Sequence, residues 1–264
     1  MCLIVFAWRR HPDYPLVLAA NRDEFHARDA EPMAWWADKP SLLAGRDLKA
    51  GGTWLAVARN GRFATVTNYR EDSATPDAGA RPRSRGEIVT QFVDGAAAGD
   101  EFVESLDGAA YAGFSVLLAD RERMVYGSNR GDPLAILEPG VYGLSNASLD
   151  TPWPKLVRTR TALLDVLAGE LIDHDSLFDI IADRKPADDA ESRSADLPFE
   201  MGRAVSAPFI VTPDYGTRCS TALLCRADGH VEIAERRFDA AGQLTGESRF
   251  VFRADPTSAD AEHP

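Results

Sequence analysis

Two apolar runs, Leu3-Ile4-Val5-Phe6-Ala7-Trp8 and Leu16-Val17-Leu18-Ala19-Ala20, open the chain and flank a polar turn at His11-Pro12-Asp13. They read as a strand hairpin whose second arm stops at Asn21-Arg22-Asp23-Glu24. Phe25 to Leu48 carries Pro32, Pro40 and the pair Trp35-Trp36 without a clear period, so an irregular segment is expected. Those tryptophans either wall a ligand site or cover a core. Thr53–Ala58 and Phe63–Tyr69 are β-prone runs joined through Asn60-Gly61, a strong hairpin signal. A Pro/Gly/Ser/Asp-rich loop is expected over 71–83. Ile88, Val89, Phe92 and Val93 then share one helical face, with Ser84 and Glu87 spaced as a capping box.

A short helix is expected around Glu101–Leu106, a hairpin at Gly113–Ala119 and Arg123–Gly127, and a short strand at Gly140–Asn146. Pro154 suits the first turn of a helix that ends near Gly169. Leu177, Ile180 and Ile181 suggest another helix, and Arg184 to Ala207 reads as a long polar loop. Thr221–Cys225, Val231–Glu235 and Ser248–Phe252 predict three antiparallel strands, with a turn at Asp228-Gly229 and a disordered tail from Asp255. The order strands, helices, strands predicts an α+β fold in which two antiparallel sheets pack face to face with helices outside. A single domain over 1–254 accommodates it.

Composition narrows the class. At 264 residues and 45% hydrophobic content the chain can bury a sizeable core. A net charge of −12 argues against nucleic acid or an anionic membrane surface as partner. Cys2, Cys219 and Cys225 form an odd set without a CxxC pair, which suits a reducing compartment. No apolar run approaches the ~18–20 residues of a membrane span. Arg9-Arg10 follow the first apolar run instead of preceding it, unlike a signal peptide. A soluble, cytoplasmic protein is expected.

The chemistry centres on Cys2. Removing Met1 would leave a residue carrying both a thiol and the chain's own α-amine. An α-amine titrates at about 7.7–8.0 and a thiol at about 8.5, so the amine can act as base for its neighbour. A cation such as Arg22, returned by the hairpin, would favour the thiolate. The bland alternative is a small buried hydrophobe. Asn68 and Asn146 end strands and can donate amide N–H to a developing oxyanion, or simply serve turns. Arg218 precedes an apolar strand and offers either a second cation or a solvated edge charge. Arg22 and Asp23 are adjacent, so a regular strand sends them to opposite faces, and both serve one site only through a kink. GxGxxG after a strand, GxxxxGK[ST], HExxH and GxSxG are missing, and the five histidines are scattered. No cofactor or metal is called for.

The run Leu18-Ala19-Ala20-Asn21-Arg22-Asp23-Glu24-Phe25 resembles the signature of the NRDE family, the transport-and-Golgi-organisation-like proteins. Further matches follow in order: Gly51–Leu55, Thr67-Asn68-Tyr69, Arg85-Gly86-Glu87, Tyr142–Ala147 with Thr151-Pro152-Trp153, Gly216-Thr217-Arg218 and Glu235-Arg236. That resemblance implies a four-layer αββα sandwich like that of the Ntn (N-terminal-nucleophile) hydrolases. Members are linked to secretory organisation, mitochondrial lipid metabolism and haem trafficking. The cysteine amidases of the choloylglycine hydrolase and penicillin acylase type are similar in part. That similarity implies Cys2 as nucleophile, Asn146 in the oxyanion motif, and Arg22 and Arg218 as site arginines. Those amidases separate the first arginine from its aspartate, whereas here Arg22 and Asp23 are adjacent. Three functions follow: a hydrolase or acyltransferase acting on a small amide or thioester, a carrier of haem or an acyl chain, and an interaction scaffold.

Overall fold

The computed structural model describes residues 2–70, 83–130, 132–190 and 197–255. The loop expected over 71–83 lies outside them save for Arg83, and the tail save for Asp255.

Side chains alternate between two buried faces along the first hairpin. In β1 (Cys2–Trp8) and β2 (Leu16–Phe25), Ile4, Phe6, Trp8, Leu16, Leu18 and Ala20 enter one core cluster. Val5, Ala7, Val17 and Ala19 enter another. Near-continuous apolar runs are what a strand covered on both sides requires. Numbering strands in chain order, this hairpin sits inside a six-stranded antiparallel sheet. Its order is β10 (Gly140–Leu144), β1, β2, β11 (Tyr215–Cys225), β12 (His230–Phe238), β13 (Leu244–Arg253). A seven-stranded sheet faces it, running β3 (Ala30–Trp35), β4 (Leu42–Asp47), β5 (Leu55–Ala58), β6 (Phe63–Asn68), β7 (Phe114–Ala119), β8 (Met124–Ser128), β9 (Ala135–Ile136). Leu43, Leu55, Val57, Phe63 and Leu117 meet the first sheet's Ile4, Phe6 and Leu18 in the central core. Each such fully buried side chain contributes about 1.5–3 kcal/mol.

Helices close both outer faces. α1 (Gly86–Asp94) covers the seven-stranded sheet through Ile88, Val89, Phe92 and Val93, and α2 (Gly99–Ser105) through Phe102 and Val103. α3 (Pro154–Ala168) and α4 (His174–Ile181) cover the other through Leu163, Leu177, Phe178 and Ile181. A fifth helix, α5, spans Phe199–Val205. The result is the αββα order, α+β in class. No helix among the described residues is long and apolar enough to cross a membrane.

Three local expectations are corrected, and one left open is resolved. The irregular segment after Phe25 contains β3 and β4. β3 is an edge strand exposed at Ala30, Glu31 and Pro32, so its pattern lacks strand alternation. α5 lies within the stretch expected to be loop, a short and largely exposed helix of weak period. No capping box forms at Ser84, because the helix cap is Arg85 without a side-chain cap bond. Glu87 instead accepts from Arg83 Nε at 2.9 Å. The tryptophan pair is core cover. Trp36 Nε1 donates to Ala44 O at 3.1 Å, and Trp35 packs edge-on against Phe252.

Asn21 explains why β2 keeps a polar residue under the helical layer. Its Nδ2 donates to the carbonyls of Ile181 at 2.8 Å and Pro208 at 2.9 Å, and its Oδ1 accepts from Ser220 Oγ at 2.6 Å. It is fully buried. Asn21→Leu would orphan three polar groups, so a stability loss of about 3–5 kcal/mol is expected by urea unfolding. A loss under about 1 kcal/mol would refute this accounting.

Candidate active site at the end of the inter-sheet cavity

Pairing register assembles the site. Cys2 is opposite Arg22, Arg22 opposite Cys219, and Cys219 opposite Arg237. Directly opposed residues share a sheet face, and this row faces the second sheet. A cavity of about 640 Å³ opens there, lined by Cys2, Arg22, Asn68, Arg218, Cys219 and Glu235, with Trp54 rather than the Trp35-Trp36 pair in its wall. Motifs scattered in sequence meet in that wall. A Cβ on Gly52 would lie 2.7 Å from the Gly86 carbonyl carbon, so only glycine permits the two backbones to approach.

Cys2 is half-buried at the start of β1. Its backbone N donates to Asn146 Oδ1 at 2.8 Å, and its carbonyl accepts from Ser145 Oγ at 2.8 Å. Asn146 Nδ2 in turn donates to the Asn68 carbonyl at 2.9 Å. Asn146 has φ 54°, in the left-handed region that Asn tolerates better than most residues. One amide therefore ties the Cys2 nitrogen in one sheet to the end of β6 in the other. Asn68 contributes through its carbonyl, while its residue is exposed.

Burial pushes the Cys2 thiol above its ordinary value, and the Asp23 carboxylate adds to that; the chain-terminal ammonium, the Asp23 backbone N–H and the Arg22 guanidinium pull the other way. Arg22 favours the thiolate, but burial outweighs it, so the thiol needs a base.

β2 does not kink at Arg22-Asp23, because its register against β1 runs unbroken from Leu16 to Arg22. The irregularity lies in β11, where the pairing shifts between Thr217 and Cys219 and leaves Arg218 as the extra residue. Arg22 and Asp23 accordingly leave on opposite sides, and both still bear on Cys2, one from each face of the sheet, without the expected kink. Arg22 Nη2 lies 3.5 Å from Asp47 Oδ2 at the end of β4 and 3.9 Å from Glu24 Oε2. Asp47 also accepts from Arg28 Nε at 2.5 Å. Asp23 lies toward the helical layer and accepts from Thr217 Oγ1 at 2.7 Å. Burial raises its carboxyl, while the chain-terminal ammonium, and after it the Lys155 ammonium and the Thr217 bond, lower it.

Arg218 Nη1 contacts His26 Nδ1 at 3.0 Å, and His26 Nε2 lies 3.0 Å from the Thr212 carbonyl. A carbonyl only accepts, so the ring proton belongs on Nε2 and Nδ1 accepts from the guanidinium. No carboxylate among the described residues pairs with Arg218.

Sequence reasoning missed four participants. His26 and Cys219 carried no motif. Lys155 carried no signal beyond following Pro154 at a helix start. Glu235 was noted only as part of a motif, yet it is buried and accepts from Met33 N at 2.9 Å across the sheets. Burial raises its carboxyl. Among the described residues no cluster of His, Cys, Asp and Glu suits a metal ion.

Comparisons with known proteins agree with this architecture. Residues 1–240 match the model of the family described as transport and Golgi organisation 2. The chain is 35% identical over 259 residues to "Transport and Golgi organization protein 2 homolog" of Homo sapiens, covering 89% of this chain and 92% of that protein. Its counterpart in Bos taurus is 36% identical over 261 residues, with the same coverages. Among solved structures, the Caenorhabditis elegans N-acylethanolamine-hydrolyzing acid amidase ortholog is similar with TM-score 0.50 at 11% identity, covering 84% of this chain and 92% of that one. The C2A mutant of conjugated bile acid hydrolase from Clostridium perfringens gives TM-score 0.51 at 9% identity, covering 97% and 98%. At such identities the likeness is one of fold, that of the Ntn hydrolases.

Proposed function

This chain belongs to the transport and Golgi organisation 2 family, and we propose that it is an Ntn-type cysteine hydrolase or acyltransferase acting on a small amide or thioester. One observation carries the reading: the Cys2 nitrogen is held 2.8 Å from Asn146 Oδ1 at a cavity wall, where removal of Met1 converts it into a free α-amine beside the thiol.

The steps follow from the geometry. Cys2 Sγ attacks the carbonyl carbon while its proton passes to the α-amine. The second N–H of the Asn146 amide is available to the oxyanion, with the first already committed to Asn68 O. The leaving amine or thiol takes the proton from the ammonium as its bond to the carbonyl breaks. Water, or an acceptor nucleophile, then gives a proton to the α-amine and displaces Cys2 from the acyl carbon. Arg22, braced by Asp47, and Arg218, braced by neutral His26, supply positive field and bind anionic parts of a substrate. Asp23, held by Thr217, faces the amine from the helical side. The polar lining, with Arg22, Arg218, Glu235 and Arg237, favours a polar substrate over the haem or acyl cargo of a carrier.

Intact-mass analysis of natively purified protein, before and after a short iodoacetamide pulse, tests this. The expected result is a chain lacking Met1 that gains one adduct, mapped to Cys2. Retained Met1 would remove the base and overturn the reading.

A further inference from the structure

The turn that carries Asn146 is strained. Asn146 has φ 54° and Asp150 φ 58°, two non-glycine residues in the left-handed region within one turn over 145–150. Such backbone persists only where its surroundings hold it from several sides. The ends of the turn are held within the six-stranded sheet. Ser145 Oγ donates to the Cys2 carbonyl at 2.8 Å. Asp150 exchanges two bonds of 2.8 Å with Gly143, its N donating to Gly143 O and its Oδ1 accepting from Gly143 N. The middle of the turn rests on the other sheet.

Two buried hydroxyls meet it there. Ser115 of β7 is fully buried, and its Oγ donates to Ala147 O at 3.2 Å. Tyr126 of β8 is 3% exposed and lies in the central core. A phenylalanine would fill that space without a hydroxyl to satisfy. The Tyr126 hydroxyl is 2.6 Å from Asp132 Oδ2 and 3.3 Å from Leu149 N. A carboxylate only accepts, so the phenol proton points at Asp132 and a lone pair is left to accept from the Leu149 N–H. Burial, and after it the Asp132 bond, push the phenol up to about 12, so that proton stays in place at neutral pH. Ser115 and Tyr126 thus grip the backbone on either side of Ser148, and Ala147 adjoins Asn146.

We propose that Tyr126 is a positioning residue: aimed by Asp132, its hydroxyl fixes the 145–150 turn and with it the Asn146 amide where the oxyanion forms. The inference rests on the nucleophile reading above and adds the group that sets its oxyanion donor. Tyr126 acts through the backbone of the turn and touches no substrate.

Two reactions at Cys2 of the full-length protein separate this role from a merely structural one. In alkylation by iodoacetamide, sulfur displaces iodide from a saturated carbon, the thiol proton passes to the α-amine, and no oxyanion develops. In acetylation by para-nitrophenyl thioacetate, the proton takes the same path while sulfur adds to the carbonyl carbon. An oxyanion forms and collapses, and para-nitrothiophenolate leaves. Tyr126→Phe should slow acetylation about tenfold at saturating thioester, less than the loss of about 10²–10³-fold on removing an oxyanion donor outright. Alkylation, and the thioester concentration that gives half the maximal rate, should stay within about twofold of wild type. Asp132→Ala, which frees the phenol to turn, should slow acetylation several-fold. Asp132→Asn, whose amide oxygen still accepts from the phenol, should restore it. Equal ratios of acetylation to alkylation in Tyr126→Phe and wild type overturn the Tyr126 role alone, as does a parallel fall in both reactions. Should Tyr126→Phe not fold, the Asp132 pair decides, and equal acetylation by its two members overturns the role. A wild-type chain that retains Met1 or leaves Cys2 unalkylated overturns the nucleophile reading, and the inference with it.

Discussion

Cys2→Ala is expected to abolish both covalent labelling at the cavity and turnover of any amide or thioester substrate, a loss of at least about 10⁴-fold. The thiol's environment makes the effect large. Because burial holds the thiol above its ordinary value, the reactive form arises only as the proton moves to the adjacent amine. No second thiol substitutes. Cys225 is pushed up to about 12 by burial, and Cys219 well above its ordinary value by burial and by Glu235. Cys2→Ser keeps the amine and the shape but asks the same base to deprotonate a hydroxyl, so a loss of about 10²–10⁴-fold is expected. Stability should hardly change, because Cys2 is half-buried and its Sγ accepts only a weak bond from the Asp23 N–H. A cost under about 1 kcal/mol is expected for either variant. An unchanged turnover rate in Cys2→Ala would exclude this residue as nucleophile.

The layer order was legible because strands that are buried twice announce themselves as apolar runs. β1, the apolar part of β2, β7 and the end of β11 are of that kind. β3 escaped because it is an exposed edge carrying Glu31 and Pro32, and β4 because its apolar start gives way to Gly45-Arg46-Asp47 at the cavity. The first half of β11, Tyr215 to Ser220, escaped for the same reason: site residues displace the apolar pattern. The site was legible as a set of chemical types in chain order, but its geometry was not. Cys2 and Asn146 are 144 positions apart, and nothing local says that a hydrogen bond joins them. The adjacency of Arg22 and Asp23 seemed to require a kink. The structure keeps β2 regular and places the bulge in its neighbour, a long-range feature of pairing. Lys155 was invisible because only the fold buries it, without a hydrogen-bond partner for its Nζ among the described residues.

Asn146 is where the backbone and chemical roles of one residue can be separated. Its φ of 54° costs a non-glycine residue about 1 kcal/mol or more, which Asn partly escapes. Its side chain holds the Cys2 nitrogen and the Asn68 carbonyl, and Arg70 N donates to its own carbonyl at 2.8 Å. Asn146→Ala therefore loses the side-chain bonds and also takes on the backbone strain. A stability loss of about 2–4 kcal/mol is expected, with a rate loss of about 10²–10³-fold from the missing oxyanion donor and the loosened amine. Asn146→Gly loses the same bonds, but glycine occupies the left-handed region freely. It should be about 1 kcal/mol more stable than the alanine variant while sharing its full rate loss. Urea unfolding together with acylation by a small chromogenic thioester reads both quantities. If Asn146→Gly acylated at the wild-type rate, the amide would be only a strut between the sheets, and the oxyanion would need another donor. If both variants lost rate equally but differed in stability as stated, the chemistry would belong to the side chain and the strain to the backbone.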